Sequence, residues 1–188
     1  MTEEEILEVL EETGALLSGH FELRSGLHSA RFFQCANLLR YPDKAELLCG
    51  ELVKLVRENG IEADTVISPA VGGILVGHEV ARALGVMSVF AEKESGNLVM
   101  RRFAVEPGRS YVVAEDVVTR GGRVQETIDL VEAGGGRVAA VAVLVDRSGG
   151  RAKFGYPMFS LIKMEPVVWK PEECPLCGDG SKAVHPGS

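Results

Sequence analysis

Two adjacent carboxylates close an apolar run at Val112-Val113-Ala114-Glu115-Asp116-Val117-Val118, and Thr119-Arg120-Gly121-Gly122-Arg123 follows at once. A buried strand rarely ends in two acids without a use for them, because burying an ionised carboxylate is costly. The glycine turn then opens a helix. Backbone N–H groups of residues 119–123, with the helix dipole behind them, form an anion cradle. Acids that can accept from sugar hydroxyls, beside a cradle for phosphate, describe a site for a ribose 5-phosphate. The plainer alternative is a strand-to-helix turn with Thr119 as N-cap and two solvated acids.

The elements that must position these residues follow from periodicity. Thr2 and Glu5 fit a capping box for a helix that Gly14 ends. Residues 19–39 read as short extended pieces, a hairpin or an irregular flap. Asp43 is expected to cap a second helix that stops at Asn59-Gly60. Strands at 65–68, 86–91, 110–118 and 138–145 then alternate with helices opened by Gly72-Gly73 and Gly121-Gly122. Residues 92–109 are polar, a long loop or a loose hairpin around Gly96-Asn97. Near-continuous β-branched strands alternating with helices predict an α/β fold whose parallel sheet is covered on both faces. Ligands bind such sheets beyond the carboxyl ends of the strands, so 69–73, 115–123 and 146–150 should line one crevice.

An apolar strand, two acids, two apolar residues, Thr, a variable residue and Gly is the diphosphate-sugar signature of the phosphoribosyltransferase family, which the chain resembles over nearly its whole length. It departs at Glu115, where the first acid is usually Asp, and at Arg120 and Arg123, where small or hydroxyl residues are usual. The backbone cradle survives, and an added guanidinium can compensate for lost hydroxyls. Residues 19–29 resemble the family's N-terminal substrate flap, and 69–74 its diphosphate loop. Residues 91–94 with Arg101-Arg102-Phe103 resemble its mobile catalytic loop, and Asp146-Arg147-Ser148 its base-recognition turn. Four pieces in this order narrow the resemblance to the orotate-using branch.

That resemblance implies a type I phosphoribosyltransferase fold: a central, mostly parallel sheet flanked by helices, with a small N-terminal hood. One domain would span 1–188, as helix plus flap (1–40), core (41–165) and a C-terminal extension (166–188). The implied reaction moves the phosphoribosyl group from 5-phosphoribosyl 1-diphosphate to orotate, giving orotidine 5'-monophosphate and diphosphate in pyrimidine biosynthesis. The diphosphate sugar would lie on Glu115, Asp116, Val117, Val118, Thr119, Arg120, Gly121, Gly122 and Arg123, with Gly72 and Gly73 leaving room for backbone amides at its diphosphate. Lys93, Arg101 and Arg102 would stabilise departing charge, with Asp116 as the fourth catalytic residue. Orotate would meet Thr119, Arg147 and Ser25. The expected cofactor is Mg2+, held mainly by substrate and water rather than by direct protein ligands. The expected assembly is a homodimer sharing loop 93–103 across its interface.

Composition trims the alternatives. A net charge of -7 disfavours a broad nucleic-acid surface and the reading as a non-catalytic regulator that binds nucleic acid on the same fold. A phosphoribosyltransferase for a purine base remains the other reading. A dinucleotide-binding dehydrogenase or methyltransferase lacks Gly-x-Gly-x-x-Gly after the strand at 65–68. No apolar run approaches the roughly 18 residues of a membrane span, and the acidic N-terminus argues against export, so the cytoplasm is expected. Of four cysteines, Cys174 and Cys177 form one Cys-x-x-Cys pair with only His185 nearby. Half a zinc motif reads as a tight turn with two free thiols, a zinc shared across a dimer being the alternative. His20 and His28 lie in the flap, His78 reads as structural, and none has metal-ligand spacing with another along the chain.

Overall fold

The computed structural model describes residues 1–186. Helix α1 (Glu3–Glu12) starts on the expected capping box: the Thr2 hydroxyl accepts from Glu5 N at 3.2 Å, and the Glu5 carboxylate accepts from Thr2 N at 2.7 Å. Strands β1 (Leu16–Glu22) and β2 (His28–Phe33) pair antiparallel as a hairpin, followed by α2 (Ala36–Leu39) and α3 (Pro42–Glu58). Asp43 does not cap α3. Tyr41 is the N-cap, Pro42 sits where a missing N–H is harmless, and Asp43 lies inside the first turn, complementing the dipole.

The core then runs β3 (Thr65–Pro69), α4 (Gly73–Leu84), β4 (Met87–Glu94), β5 (Asn97–Val99), β6 (Ser110–Val118), α5 (Gly122–Ala133), β7 (Arg137–Asp146) and β8 (Met158–Lys163). The six-stranded sheet has the order β5-β4-β3-β6-β7-β8, parallel except for β5. Strand β4 therefore continues beyond residue 91 and turns back at Ser95-Gly96, which reduces the expected loop to a hairpin and its descending arm. Alternate residues of β6 serve opposite faces. Val112 and Ala114 join a core with Leu48, Leu52 and Val56 of α3 and Val76 and Val80 of α4, whereas Tyr111 and Val113 pack with Val124, Ile128 and Val131 of α5. Burial on both faces is why these strands read as unbroken apolar runs.

From β3 the chain adds β4 on one side and then returns to add β6 on the other. The switch in direction thus lies between β3 and β6, the place where open α/β sheets bind ligands. Pairing of β3 with β6 ends at Ile67 opposite Val113, but β6 stays paired with β7 to Val118 opposite Asp146. That difference leaves Glu115 and Asp116 beyond the pairing with β3, facing the loop before α4.

The C-terminal segment returns to the hairpin. Strand β9 (Val168–Trp169) pairs with β2, placing Trp169 opposite His28, and the short helix α6 (Pro175–Gly178) follows. On the other edge, Val184 N donates to His20 O at 2.8 Å and Glu22 N donates to Val184 O at 2.9 Å. Among the described residues, no helix is long and apolar enough to cross a membrane.

Candidate active site

A cavity of about 570 Å³ opens at the switch point, lined by Pro69 to Gly72 from one loop and Glu115 to Val124 from the other. The first intrahelical bond after the glycine turn runs from Gln125 N to Gly121 O at 2.9 Å. The N–H groups of Gly122, Arg123 and Val124 precede it and have no such partner, so they and the dipole of α5 present positive potential to the cavity. Gly121 makes this turn with φ of 80°, and a Cβ there would stand 2.8 Å from the Phe154 ring. Across the cavity, a Cβ on Gly73 would stand 3.0 Å from Glu115 Oε1, and one on Gly72 would stand 3.4 Å from Asp116 Oδ2. The glycine pair lets the start of α4 approach the two acids.

Those acids are unusual. Glu115 is buried, and its Oε1 accepts from the neighbouring Asp116 N at 3.1 Å; Asp116 Oδ1 accepts from Val117 N at 2.7 Å. Burial, and then the adjacent Asp116 charge, push the Glu115 carboxyl up to about 8. Asp116 is raised too, chiefly by burial. Buried carboxyls with raised pKa in a cleft are candidates for a functional site. They can meet sugar hydroxyls as acceptor or, for Glu115 in its protonated form, as donor.

A stability consequence has a definite sign. Between the ordinary carboxylate range and about 8, the folded chain keeps a Glu115 proton that the unfolded chain has released, so stability falls as pH rises through that window. Glu115→Gln is expected to remove this loss. Its melting temperature without ligand should match the wild type near the acidic end of the window and exceed it increasingly toward about pH 8. An offset that stays constant with pH would disconnect Glu115 from the effect.

A second cavity of about 450 Å³ shares Thr119 and Arg120 with the first and adds Leu23, Ser25, Leu27, Arg147 and Arg151. Arg147 N donates to Val118 O at 2.8 Å, which ties the turn after β7 to the end of β6. Its guanidinium carbon lies 5.6 Å from the centre of the Phe33 ring, and its Nε is buried without a hydrogen-bond partner. Asp146 does not neutralise it, because Asp146 Oδ1 accepts from Ser148 N at 2.8 Å in its own turn. Burial lowers the pKa of Arg147 from its ordinary value. An unpaired, half-buried guanidinium facing a cavity is poised for an anionic ligand.

The structure brings together Gly72, residues 115–123, Ser25 and Arg147 around two cavities that share Thr119 and Arg120, with Gly73 beside Glu115. It does not bring Lys93, Arg101 or Arg102 to either one. Arg102 pairs with Glu92 and lies 5.9 Å from the Phe90 ring, and Arg101 Nε is 3.8 Å from Glu94. All three cations belong to the exposed β4–β5 hairpin and its descending arm. Sequence reasoning missed Leu23, Leu27 and Arg151 at the second cavity. The apolar ones look like ordinary hairpin residues, and Arg151 is one of several loop arginines, ion-paired here with Glu165.

This is the layout of a transferase that handles phosphorylated sugars. The chain belongs to the phosphoribosyltransferase family, since the family model of the phosphoribosyl transferase domain matches residues 40–176. Its relatives narrow the branch. A protein named orotate phosphoribosyltransferase from Heliobacterium modesticaldum is 52% identical over 189 residues, covering 100% of this chain and 99% of its own length. Among solved structures, orotate phosphoribosyltransferase from Aeropyrum pernix aligns with a TM-score of 0.74 at 24% identity, over 85% of this chain and 94% of its own. Adenine phosphoribosyltransferase from Rhodothermus marinus aligns with 0.68 at 22% identity, over 86% and 99%. The fold is thus common to enzymes acting on different bases, and the base must be argued from the site.

Proposed function

We propose that this chain transfers the phosphoribosyl group of 5-phosphoribosyl 1-diphosphate to orotate, releasing orotidine 5'-monophosphate and diphosphate. The observation that carries the choice of base is Arg147: a half-buried guanidinium with an unpartnered Nε, in a cavity that shares Thr119 and Arg120 with the phosphate cradle. Orotate differs from most bases by a carboxylate, and a planar guanidinium can hold it with two parallel hydrogen bonds. Thr119 and Ser25 offer hydroxyls to the ring's polar edge. The relative at 52% identity carries the same function in its name. The test is a panel of orotate, uracil, adenine and hypoxanthine with the diphosphate sugar. Turnover of orotate alone is expected, and turnover of a purine without orotate overturns the reading.

In this scheme the amides of residues 119–124 hold the 5'-phosphate, and Glu115 and Asp116 hold the ribose hydroxyls. The negative charge of Asp116 favours the positive character that develops at the anomeric carbon as the bond to diphosphate breaks. Backbone donors of the loop at 69–73 face the diphosphate. Two carboxylates beside a phosphate cradle are the hard oxygen donors that suit Mg2+, an ion usually held by one or two carboxylates plus substrate phosphates. When bound, Mg2+ would neutralise charge on the diphosphate; Asp116 is the side chain best placed to touch it or its waters.

Lys93, Arg101 and Arg102 line neither cavity of their own chain, which supports a homodimer in which each copy reaches the other's site with the β4–β5 hairpin. Lys93→Ala is expected to lower kcat on the order of 10²-fold, as for loss of one donor to developing charge. The KM for the diphosphate sugar should move much less. Normal kcat in that variant would remove the hairpin from the mechanism. Four free cysteines and the absence of a disulfide among the described residues support a reducing compartment, the cytoplasm.

A further inference from the structure

The β1–β2 hairpin and the C-terminal segment meet at four side chains that the reaction does not use. His20 Nε2 lies 2.9 Å from His28 Nδ1. Cys174 Sγ lies 3.5 Å from His20 Nε2, and Cys177 Sγ lies 3.8 Å from His20 Nε2 and 3.3 Å from His28 Nδ1. All four donor atoms fall within 4.8 Å of one another. Zinc bonds of about 2.0–2.1 Å to nitrogen and 2.3 Å to sulfur, arranged tetrahedrally, place donors about 3.4 Å (N to N), 3.6 Å (N to S) and 3.8 Å (S to S) apart. The four measured separations differ from these by about 0.1–0.5 Å and the other two are at most 4.8 Å, so shifts of about an ångström or less would close the four atoms round one ion.

We propose that His20, His28, Cys174 and Cys177 bind one structural zinc ion. Two imidazoles and two thiols converging on a point form a soft, four-coordinate set that selects zinc over magnesium or calcium. Charge agrees with burial: two thiolates and a dication sum to zero, so His20, His28 and Cys174 can be buried without burying net charge. Hydrogen bonding on the far side of the ring does not explain how His20 is aimed, since its Nδ1 is buried without a partner. The Cys-x-x-Cys geometry is local: Cys174 is the N-cap of α6 and Pro175 its first residue, so one helical turn brings Cys177 round beside Cys174. Binding would displace two thiol protons and leave both histidines neutral. His185, the third ligand that sequence proximity suggested, is engaged elsewhere, with Nδ1 2.9 Å from Glu22 O.

The ion has a second effect, which rests on the proposed function. His20 and His28 flank residues 23–27, and Leu23, Ser25 and Leu27 line the same cavity as Arg147 and Thr119. Zinc would thus hold the flap at a fixed distance from the base site, making the four ligands positioning residues rather than catalytic ones.

The experiment uses the full chain, purified without chelator and dialysed. Elemental analysis is expected to give about one zinc per chain, and exchange with Co2+ should give the visible bands of four-coordinate, thiolate-ligated cobalt. The Cys174→Ser/Cys177→Ser variant should lose the metal, and its KM for orotate should rise several-fold more than its KM for the diphosphate sugar. Should that variant fail to fold, metal content and the cobalt spectrum of the wild type still decide. Less than about a tenth of a zinc per chain after refolding with excess Zn2+ overturns the proposal. So does a cobalt spectrum without thiolate bands, or full metal retention in the double variant. A chain that binds zinc but does not turn over orotate would leave the metal site standing and remove only the proposed reaction.

Discussion

Arg147→Ala is expected to lower kcat/KM for orotate by roughly 30- to 5,000-fold, equivalent to about 2–5 kcal/mol, the scale of deleting one partner of a buried charge pair. The diphosphate sugar should bind nearly as before, because the phosphate cradle is made by backbone amides on the other side of Thr119. A competing account makes Arg147 a structural ion-pair partner of a neighbouring acid, and predicts lowered stability with unchanged kinetics. The geometry speaks against it: Asp146 is engaged by Ser148 N, and Nε of Arg147 is buried with no partner. Steady-state kinetics with both substrates varied decide the matter. An unaltered specificity constant for orotate would sink the assignment, whatever the melting temperature does.

Asp116→Asn should lower kcat by about 10²–10³-fold, the usual effect of removing one preorganised electrostatic contact to a transition state. Its fold should survive, since the carboxylate is raised in pKa by burial and the neutral amide relieves that penalty. The expected signature is therefore a melting temperature equal to or above that of the wild type, together with a collapsed turnover. A folded Asp116→Asn chain with near-normal turnover would mean that the paired acids are not where the ribose sits.

How legible all this was in the sequence depended on range. From β6 into α5, the expected strand limits match the structure residue for residue, because an unbroken apolar run, two acids and a glycine pair are local signals. The cradle, the acids and Gly72 came from the same kind of signal. Strand β8 was not legible. It follows β7 with no helix between them, so the alternation that exposed the other strands is broken just there. Asp43 misled for a local reason, since Pro42 had already taken the first helical position. The histidines and cysteines failed in the opposite way. Along the chain, 149 residues separate Cys177 from His28, and no spacing rule connects them. Only the antiparallel hairpin, which sets His20 beside His28, and the returning β9, which opposes Trp169 to His28, bring the four side chains together.

The same return of the chain decides how the protein behaves toward other copies of itself. A two-stranded hairpin offers two rows of unpaired N–H and C=O groups, a ready template for intermolecular strand pairing and aggregation. Here β9 occupies part of one row and Val184 part of the other. A chain ending before Val168 would keep its catalytic sheet and yet expose both rows beside apolar Phe21 and Phe32. Its first defect would then be colloidal rather than chemical. Such a molecule would fall out of solution by strand addition before any loss of its core could be measured.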